Sequence, residues 1–265
     1  MASRLGADAD VVVTERRGHA REIAGDAASR GVGAVVAWGG DGTINEVASA
    51  LAFGPVPLGI VPAGSGNGLA RELRISSNPE HAISAALRAT ARRIDIGEIE
   101  GRFFVNIAGV GVDALVASQF NAPSNPRRGF LGYVGVAAHV LSRYEPIRYR
   151  ITANGRVDDV CAILVTIANS AQFGSGARIA PGALLDDGFL DLVVIQERSR
   201  RTTVVHLPHL FTGTAARVPG YRQERITDVV IEADEPLTFH VDGEPCAGGT
   251  RLYARVHPAA LHVLA

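Results

Sequence analysis

The amino-terminal third of the chain alternates short apolar runs with segments whose apolar residues recur at helical spacing. Apolar runs at residues 11–13, 34–38 and 58–61 predict buried strands, and helical spacing over residues 19–30 and 79–91 predicts helices. Strands that alternate with helices in this way are typical of a parallel sheet with helices packed on it. The pattern therefore predicts an α/β fold for this part of the chain.

Beyond residue 95 the pattern changes to strand-like alternation, interrupted by helical segments at residues 130–143 and 202–210. Turn signals separate the alternating segments at Asn154-Gly155, Asp187-Gly188 and Asp242-Gly243. The two patterns together predict an α/β domain over residues 1–95 and a mainly antiparallel β domain over residues 96–265.

Two glycine-rich loops follow neighbouring predicted strands, and each continues into a predicted helix. Glycines let the backbone approach a ligand, and a helix N-terminus offers free N–H groups and a positive dipole end. Right-handed crossovers bring the carboxyl ends of parallel strands to one edge, so both loops should face one anionic ligand. The loops are Gly39-Gly40-Asp41-Gly42-Thr43, continued by Ile44-Asn45-Glu46, and Pro62-Ala63-Gly64-Ser65-Gly66-Asn67-Gly68.

Asp41 is unusual inside an anion-binding loop. A carboxylate beside phosphates makes sense if a divalent cation lies between them or if the carboxylate takes a proton. Tight turns in a Rossmann-like domain would explain the glycines, but not the polar residues Asp41, Thr43, Ser65 and Asn67 at the same edge. Phosphoryl transfer is the predicted chemistry.

Composition narrows the chemistry further. All 26 basic residues are arginine, which excludes lysine-dependent phosphate loops and Schiff-base mechanisms; genomic base composition is the simplest explanation. A net charge of −1 argues against a nucleic-acid partner. The isolated Cys161 and Cys246 indicate neither a zinc site nor a disulfide framework, which fits a reducing cytoplasm. The longest apolar stretch, residues 130–141, is too short to span a bilayer.

Asp242 and Glu244 follow a predicted strand at residues 237–241 and share one face of it. Near a phosphate site, one carboxylate can hold a metal or its waters while the other removes a proton from the attacking hydroxyl. A polar hairpin turn is the competing interpretation. His240 shares the face, so an iron or zinc site with the distant His257 is a further alternative.

Several motifs, in order, resemble the diacylglycerol kinase catalytic family, which includes bacterial lipid kinases and sphingosine kinases. The first loop alone would also fit phosphofructokinase and NAD kinase relatives, so the later motifs narrow the resemblance. It implies a phosphofructokinase/NAD kinase-like parallel sheet followed by a β-sandwich domain. The motifs are residues 39–47, 62–73, 104–114, 168–176, 180–190 and 241–245.

The resemblance implies an ATP-dependent lipid kinase that phosphorylates a hydroxyl of a membrane lipid such as diacylglycerol or a sphingoid base. Glu244 is then the expected proton acceptor with support from Asp242, Asp41 the expected bridge to Mg²⁺, and Asp113 the expected neighbour of the lipid head. The expected ATP-binding residues are Thr14, Gly39, Gly40, Asp41, Gly42, Thr43, Ile44, Asn45, Glu46, Gly64, Ser65, Gly66, Asn67 and Arg71.

The resemblance also implies a magnesium ion away from the chemistry, held by Asp187 and the carbonyls of Leu184 and Phe189; a plain Asp-Gly turn competes with it. ATP and Mg²⁺ are the expected cofactors. The expected setting is a cytoplasmic protein that docks transiently on membranes through residues 130–141. The lipid used and the oligomeric state, a homodimer included, stay open.

Two departures from the family pattern matter. Relatives open with a strand and an Asn-Pro-x-Ser-Gly loop, and nothing similar precedes Val11, so the sequence is expected to lack the first strand and loop. Gly68 stands where many relatives carry aspartate, which leaves Arg71 without that partner. The alternatives are therefore an inactive nucleotide-binding regulatory protein and an NAD kinase-like small-molecule kinase.

Overall fold

The computed structural model describes residues 8–121, 129–172, 177–197, 205–210 and 212–265. The helices are α1 His19–Ser29, α2 Asp41–Leu51, α3 Gly68–Glu72, α4 Pro79–Arg88, α5 Val112–Asn121 and α6 Gly129–Arg143. The strands are β1 Val35–Gly39, β2 Leu58–Pro62, β3 Ala91–Ile99, β4 Arg102–Phe104, β5 Ile107–Gly111, β6 Ile147–Ala153, β7 Arg156–Ala168, β8 Leu190–Gln196, β9 Tyr221–Ile226, β10 Asp228–Glu232, β11 Thr238–Val241, β12 Glu244–Ala247 and β13 Arg251–Leu264.

The amino-terminal part is a parallel strand pair covered by helices. β1 and β2 pair in parallel from Val35 opposite Leu58 to Gly39 opposite Pro62. Helix α2 buries a stripe at helical spacing, Ile44, Val47, Ala48 and Leu51, in the core that it shares with these strands. The predicted order of strand, glycine loop and helix is confirmed in both units.

The remaining strands are mostly antiparallel and join the first two in one sheet. The hydrogen-bonded order is β1-β2-β13-β10-β6-β7-β5-β11-β12, with β3, β4, β8 and β9 attached beside this path. The long strand β13 runs along β10 and β3, and its carboxyl end reaches β2, where Val263 lies opposite Leu58. Because the predicted boundary at residues 95/96 falls inside β3, the division into two domains stays a prediction.

Two hairpin turns predicted from the sequence have the backbone that tight turns require. Asn154 and Gly155 have φ angles of 50° and 71° between β6 and β7, and Asp242 and Gly243 have φ angles of 49° and 88° between β11 and β12. Two consecutive left-handed residues match the twist of the flanking strands. Gly243, the residue before Glu244, lies in the second turn. The geometry of this hairpin therefore sets the position of Glu244, the first residue of β12.

Two expected elements differ from the structure. Val11, Val12 and Val13 form no strand and are 88%, 56% and 76% exposed, and among the described residues β1 pairs only with β2, so these valines leave its other edge unpaired. The helix expected over residues 79–91 ends at Arg88, since Ala89 is extended and Ala91 begins β3.

Helix α6 confirms the helix expected over residues 130–143. The helix expected over residues 202–210 lies partly outside the described residues, and Leu207–Leu210 is a 3₁₀ helix. Within the described ranges, no helix combines the length and hydropathy that a bilayer crossing requires.

Two glycine substitutions should act in opposite directions. Gly25 lies inside α1, and a methyl group added there would meet open space, so Gly25→Ala should raise the free energy of unfolding by about 0.5–1 kcal/mol. Gly155 has a left-handed backbone, so Gly155→Ala should lower it by about 1–2 kcal/mol. Urea unfolding of both variants measures the difference, and stabilisation by Gly155→Ala would contradict the assigned turn.

Candidate functional site

The two glycine loops touch each other at the carboxyl edge of β1 and β2. The N–H of Ala63 donates to the carbonyl of Gly39 at 2.9 Å. A Cβ atom on Gly64 would lie 2.7 Å from the Cα atom of Gly40, so neither loop could hold its place with a side chain at that contact. The prediction that both loops meet at one edge is confirmed.

Asp41 links the first loop to the second. Its Oδ1 atom accepts the N–H of Gly68 at 2.7 Å, and its Oδ2 atom accepts the N–H of Asn67 at 2.9 Å. Burial raises the pKa of the Asp41 carboxyl, and these N–H groups oppose the rise by favouring the charged form. The N–H of Asp41 itself also bonds the carboxylate, and three donors leave one of its four lone pairs for a further contact from the cleft.

The second loop is closed by its own residues. Asn67, which has a left-handed backbone, accepts the N–H of Gly64 and donates to the Gly64 carbonyl, both at 2.8 Å. Arg71 donates from Nε to the carbonyl of Gly66 at 2.9 Å. Position 68 holds glycine instead of aspartate, and Arg71 bonds this backbone carbonyl. A Cβ atom on Gly68 would lie 2.8 Å from Asn106 Nδ2, so Asn106 fills the space that a side chain there would need.

Helix α2 carries two polar side chains that fix neighbouring segments. Glu46 accepts the N–H groups of Gly18 and Ala20 at 2.8 and 3.1 Å, which satisfies free donors at the start of α1. Asn45 donates to the carbonyl of Phe103 at 2.9 Å and to Asp242 at 2.7 Å. The side chains of Asn45 and Glu46 therefore bond other parts of the protein.

Asp242 joins the two parts of the chain. Its Oδ2 accepts from Asn45 and from the N–H of Val105 at 2.9 Å, and its Oδ1 accepts the N–H groups of Asn106 and Ile107 at 2.9 and 3.1 Å. Burial of the carboxyl raises its pKa, while the four donors pull the pKa down. Four donors use all the lone pairs that an ionised carboxylate offers.

Glu244 stands two residues further on and pairs with Arg17 at 2.5 Å between Oε1 and a guanidinium nitrogen. Both groups border a cleft of about 520 Å³ between the glycine loops and the β11–β12 turn. The cleft is lined by Thr14, Arg16, Arg17, Ala20, Gly40, Asp41, Gly42, Thr43, Glu46, Gly64, Ser65, Gly66, Asn106, Ile107, Ala117, Phe120, Asp242, Gly243, Glu244 and Pro245.

Most residues expected at the site line this cleft, but several lie behind it. Ile44 is 1% exposed and packs in the core, and Gly39 lies under Thr43. Sequence reasoning missed Arg17, Asn106 and Phe120. The absence of lysine left metal, backbone N–H groups or arginine to meet phosphate charge, and no pattern showed that an arginine, or which one, lies at the cleft. The expected residues that do not line the cleft are Gly39, Ile44, Asn45, Asn67, Arg71, Asp113, Leu184, Asp187 and Phe189.

The Asp187 turn has a cation beside it already. Asp187 Oδ1 accepts the N–H of Phe189 at 3.1 Å, and Oδ2 lies 3.2 Å from a guanidinium nitrogen of Arg225. The same guanidinium stands 5.8 Å from the centre of the Phe189 ring. Arg225 therefore stands within ion-pair distance of this carboxylate, although Oδ2 is buried and receives no hydrogen bond among the described residues. The magnesium site expected at Leu184, Asp187 and Phe189 stays a prediction that Arg225 disfavours.

His240 and His257 have separate carboxylate partners. His240 Nε2 lies 3.2 Å from Asp113 Oδ2, whereas His257 Nε2 lies 2.5 Å from Glu98 Oε2. Among the described residues, no group of three His, Cys, Asp or Glu side chains could hold a metal ion. The iron or zinc alternative built on these two histidines is therefore wrong for the described part of the chain.

Comparison with known proteins finds matches along the whole chain. Residues 1–99 match the family model described as "Diacylglycerol kinase catalytic domain", and residues 106–265 match "YegS C-terminal NAD kinase beta sandwich-like domain". A Mycobacterium tuberculosis protein named "Diacylglycerol kinase" is 30% identical over 98% of this chain and 85% of its own length. A Pseudomonas aeruginosa protein named "Probable lipid kinase YegS-like" is 33% identical over 97% of this chain and 85% of its own.

Solved structures share the fold. A structure titled as diacylglycerol kinases from Bacillus anthracis has a TM-score of 0.74 at 20% identity, covering 97% of this chain and 85% of its own. An NAD kinase from Archaeoglobus fulgidus in complex with ATP has a TM-score of 0.56 at 13% identity, covering 100% of this chain and 86% of its own. The predicted fold class, an α/β part followed by a β sandwich, is confirmed.

Replacing Asp242 should destabilise the whole chain. In the parent chain, backbone N–H groups donate to both oxygens of Asp242. Asp242→Asn replaces one of these oxygens by an amide NH₂ that cannot accept, so we expect a loss of about 1–3 kcal/mol in the free energy of unfolding. Asp234→Asn, an exposed aspartate in a loop, is the matched control and should change it by less than about 0.5 kcal/mol. Equal urea midpoints for the two variants would show that the Asp242 bonds contribute nothing.

Proposed function

Since the chain belongs to the diacylglycerol kinase catalytic family and is a kinase with an alcohol acceptor, we propose that it transfers the γ-phosphoryl group of ATP to a hydroxyl of a membrane lipid. Diacylglycerol is the first candidate, because a relative that is 30% identical over most of both chains carries that substrate in its name. A sphingoid base is the second candidate to test.

One observation supports this function above the others. Two glycine loops in backbone contact and the carboxylate of Glu244 border the same cleft, although they lie about 200 positions apart in the chain. A phosphate cradle beside a carboxylate is the arrangement that transfer to a hydroxyl requires, since the acceptor must lose its proton near the transferred group.

The two glycine loops, the proposed phosphate cradle, offer backbone N–H groups to a phosphate in place of a lysine side chain. The N-cap of α2 is Gly40, and no side chain caps this helix, so its first N–H groups remain available to an anion at the cleft. Ser65 and Thr43 add hydroxyl groups, and Arg16 and Arg17 add positive charge at the mouth. These groups would bind and orient the phosphates, with Thr14 near the base.

Asp41 is the residue suited to a divalent cation carried by the nucleotide. Its carboxylate borders the cleft and keeps a lone pair after bonding the N–H groups of Asn67, Gly68 and Asp41 itself. Magnesium bound with ATP would neutralise charge on the phosphates during transfer. The residue itself would hold that cation, or its waters, over the joint between the two loops.

Glu244 is the proposed proton acceptor. Its carboxylate borders the cleft, and Oε1 lies 2.5 Å from a guanidinium nitrogen of Arg17. Asp242 is the weaker candidate, because its lone pairs are already used by four donors. We therefore assign Asp242 to holding the turn, and Glu244 to taking the proton from the lipid hydroxyl.

The substrate and the base can be tested together. Purified protein is assayed with labelled ATP and vesicles containing diacylglycerol, a sphingoid base or ceramide, with NAD in a separate arm. Glu244→Gln preserves shape and removes basicity, so kcat on the preferred lipid should fall on the order of 10²- to 10⁴-fold with little change in nucleotide affinity.

Glu235→Gln is the matched control, since this glutamate is exposed in the loop before β11 and should leave turnover unchanged. Turnover of NAD with none of the lipids would favour the small-molecule kinase instead. ATP binding without transfer to any acceptor would favour the regulatory alternative.

Asp41→Asn should impair cation binding while the chain remains folded. The amide keeps one acceptor oxygen for the second loop, so the chain should remain folded with a loss of about 1–3 kcal/mol, while Mg²⁺-dependent turnover is abolished. Turnover is measured over a range of Mg²⁺ concentrations, and folding by circular dichroism. A variant that keeps the parent rate would show that this loop is not where phosphate is transferred.

A further inference from the structure

A row of three residues crosses three neighbouring strands beneath the cleft. His240 on β11 lies opposite Gly109 on β5, and Gly109 lies opposite Thr166 on β7. His240 and Thr166 are both fully buried. Polar side chains in such a row need partners, because a buried polar group without one is costly.

Asp113 supplies the partner for both. Its Oδ2 atom lies 3.2 Å from His240 Nε2 and accepts the Thr166 hydroxyl at 3.1 Å, so one carboxylate oxygen bridges the two outer residues of the row. The space for it exists because the middle residue is Gly109: a Cβ atom there would overlap both Asp113 Oδ2 and His240 Nε2. Asp113 is 4% exposed and does not line the cleft.

The other ring nitrogen of His240 reaches the turn that carries Glu244. The N–H of Gly243 donates to His240 Nδ1 at 3.2 Å. A backbone N–H can only donate, so Nδ1 must hold the lone pair, and the ring proton of the neutral tautomer must lie on Nε2. Nε2 lies within ion-pair distance of Asp113 Oδ2 but without hydrogen-bond geometry, so Asp113 contacts this end of the ring and limits how the ring can turn.

We propose that His240, oriented by Asp113, is a positioning residue that holds the Asp242-Gly243-Glu244 turn through the Gly243 N–H and so sets where the Glu244 carboxylate stands. The inference rests on the proposed role of Glu244 as proton acceptor. Asp113 lies in the first turn of α5, the helix that brings Ala117 and Phe120 to the cleft, so the contact between Asp113 and His240 also ties this wall to the turn.

Two substitutions of His240 separate its two contacts. The side-chain oxygen of His240→Asn can take the place of Nδ1 and keep the bond from Gly243, whereas the longer amide of His240→Gln reaches the place of Nε2 and keeps only Asp113. We expect kcat on the preferred lipid to fall on the order of 10²-fold in His240→Gln, with nucleotide affinity unchanged, because displacement of a reacting group by about 1 Å costs that much. His240→Asn should retain most of the parent kcat.

Hydrogen exchange of the peptide that covers residues 240–247 gives a readout independent of turnover. The Gly243 amide should exchange faster in His240→Gln and at nearly the parent rate in His240→Asn. Asp113→Asn, which keeps the size of the side chain, is the second variant, and it should lower kcat without changing nucleotide affinity.

The outcomes separate this inference from the proposed function. In the double variant His240→Gln with Glu244→Gln, kcat should be no lower than in Glu244→Gln alone, since positioning matters only while the base is present. Equal losses in His240→Asn and His240→Gln, or additive losses in the double variant, would overturn the inference. Parent turnover in Glu244→Gln would instead refute the base, while hydrogen exchange would still report on the turn.

Discussion

The carboxylate of Asp242 is the contact on which the geometry of the cleft depends. It gathers Asn45 from the helix after the first glycine loop and three successive N–H groups from the segment that leads into β5. One side is the pair of glycine loops, the proposed phosphate cradle, and the other is the sheet that carries Glu244. Three of the four donors come from the sheet side and one, Asn45, comes from the helix after the first glycine loop, so the Asn45 bond ties that helix to a carboxylate that the sheet already holds in place.

The cradle depends on a second constraint, which is the absence of side chains. Gly40 and Gly64 approach so closely that a methyl group at Gly64 would meet backbone, and Asp41 then spans the joint by accepting two N–H groups from the other loop. An aspartate in this loop thus has a structural partner as well as a proposed cation. The same carboxylate can serve both because each oxygen has two lone pairs.

Among the described side chains that line the cleft, the basic ones are all arginine. Arg17 pairs with Glu244 across the mouth, and Arg225 pairs with Asp187 where the family resemblance implied a cation. Both pairs are partly exposed, so each contributes little to stability by itself. Each pair matters for its own carboxylate, because the arginine places a positive charge beside Glu244 or Asp187.

The sequence by itself determined the glycine loops, their order after two strands, the hairpin turn at Asp242-Gly243 and the change from α/β to β pattern, because these follow from local backbone preferences and periodicity. It also suggested Asp41 and Glu244 from their residue types. It misplaced a strand at Val11–Val13, since an apolar run becomes a strand only when it pairs with a neighbour, and this run pairs with no described strand. Only the tertiary structure decided that Asp242 is saturated with donors, that Arg17 lies at the cleft, and that His240 meets Asp113 over Gly109. These contacts join residues between about 100 and 230 positions apart, and no local pattern encodes which distant donor reaches which oxygen.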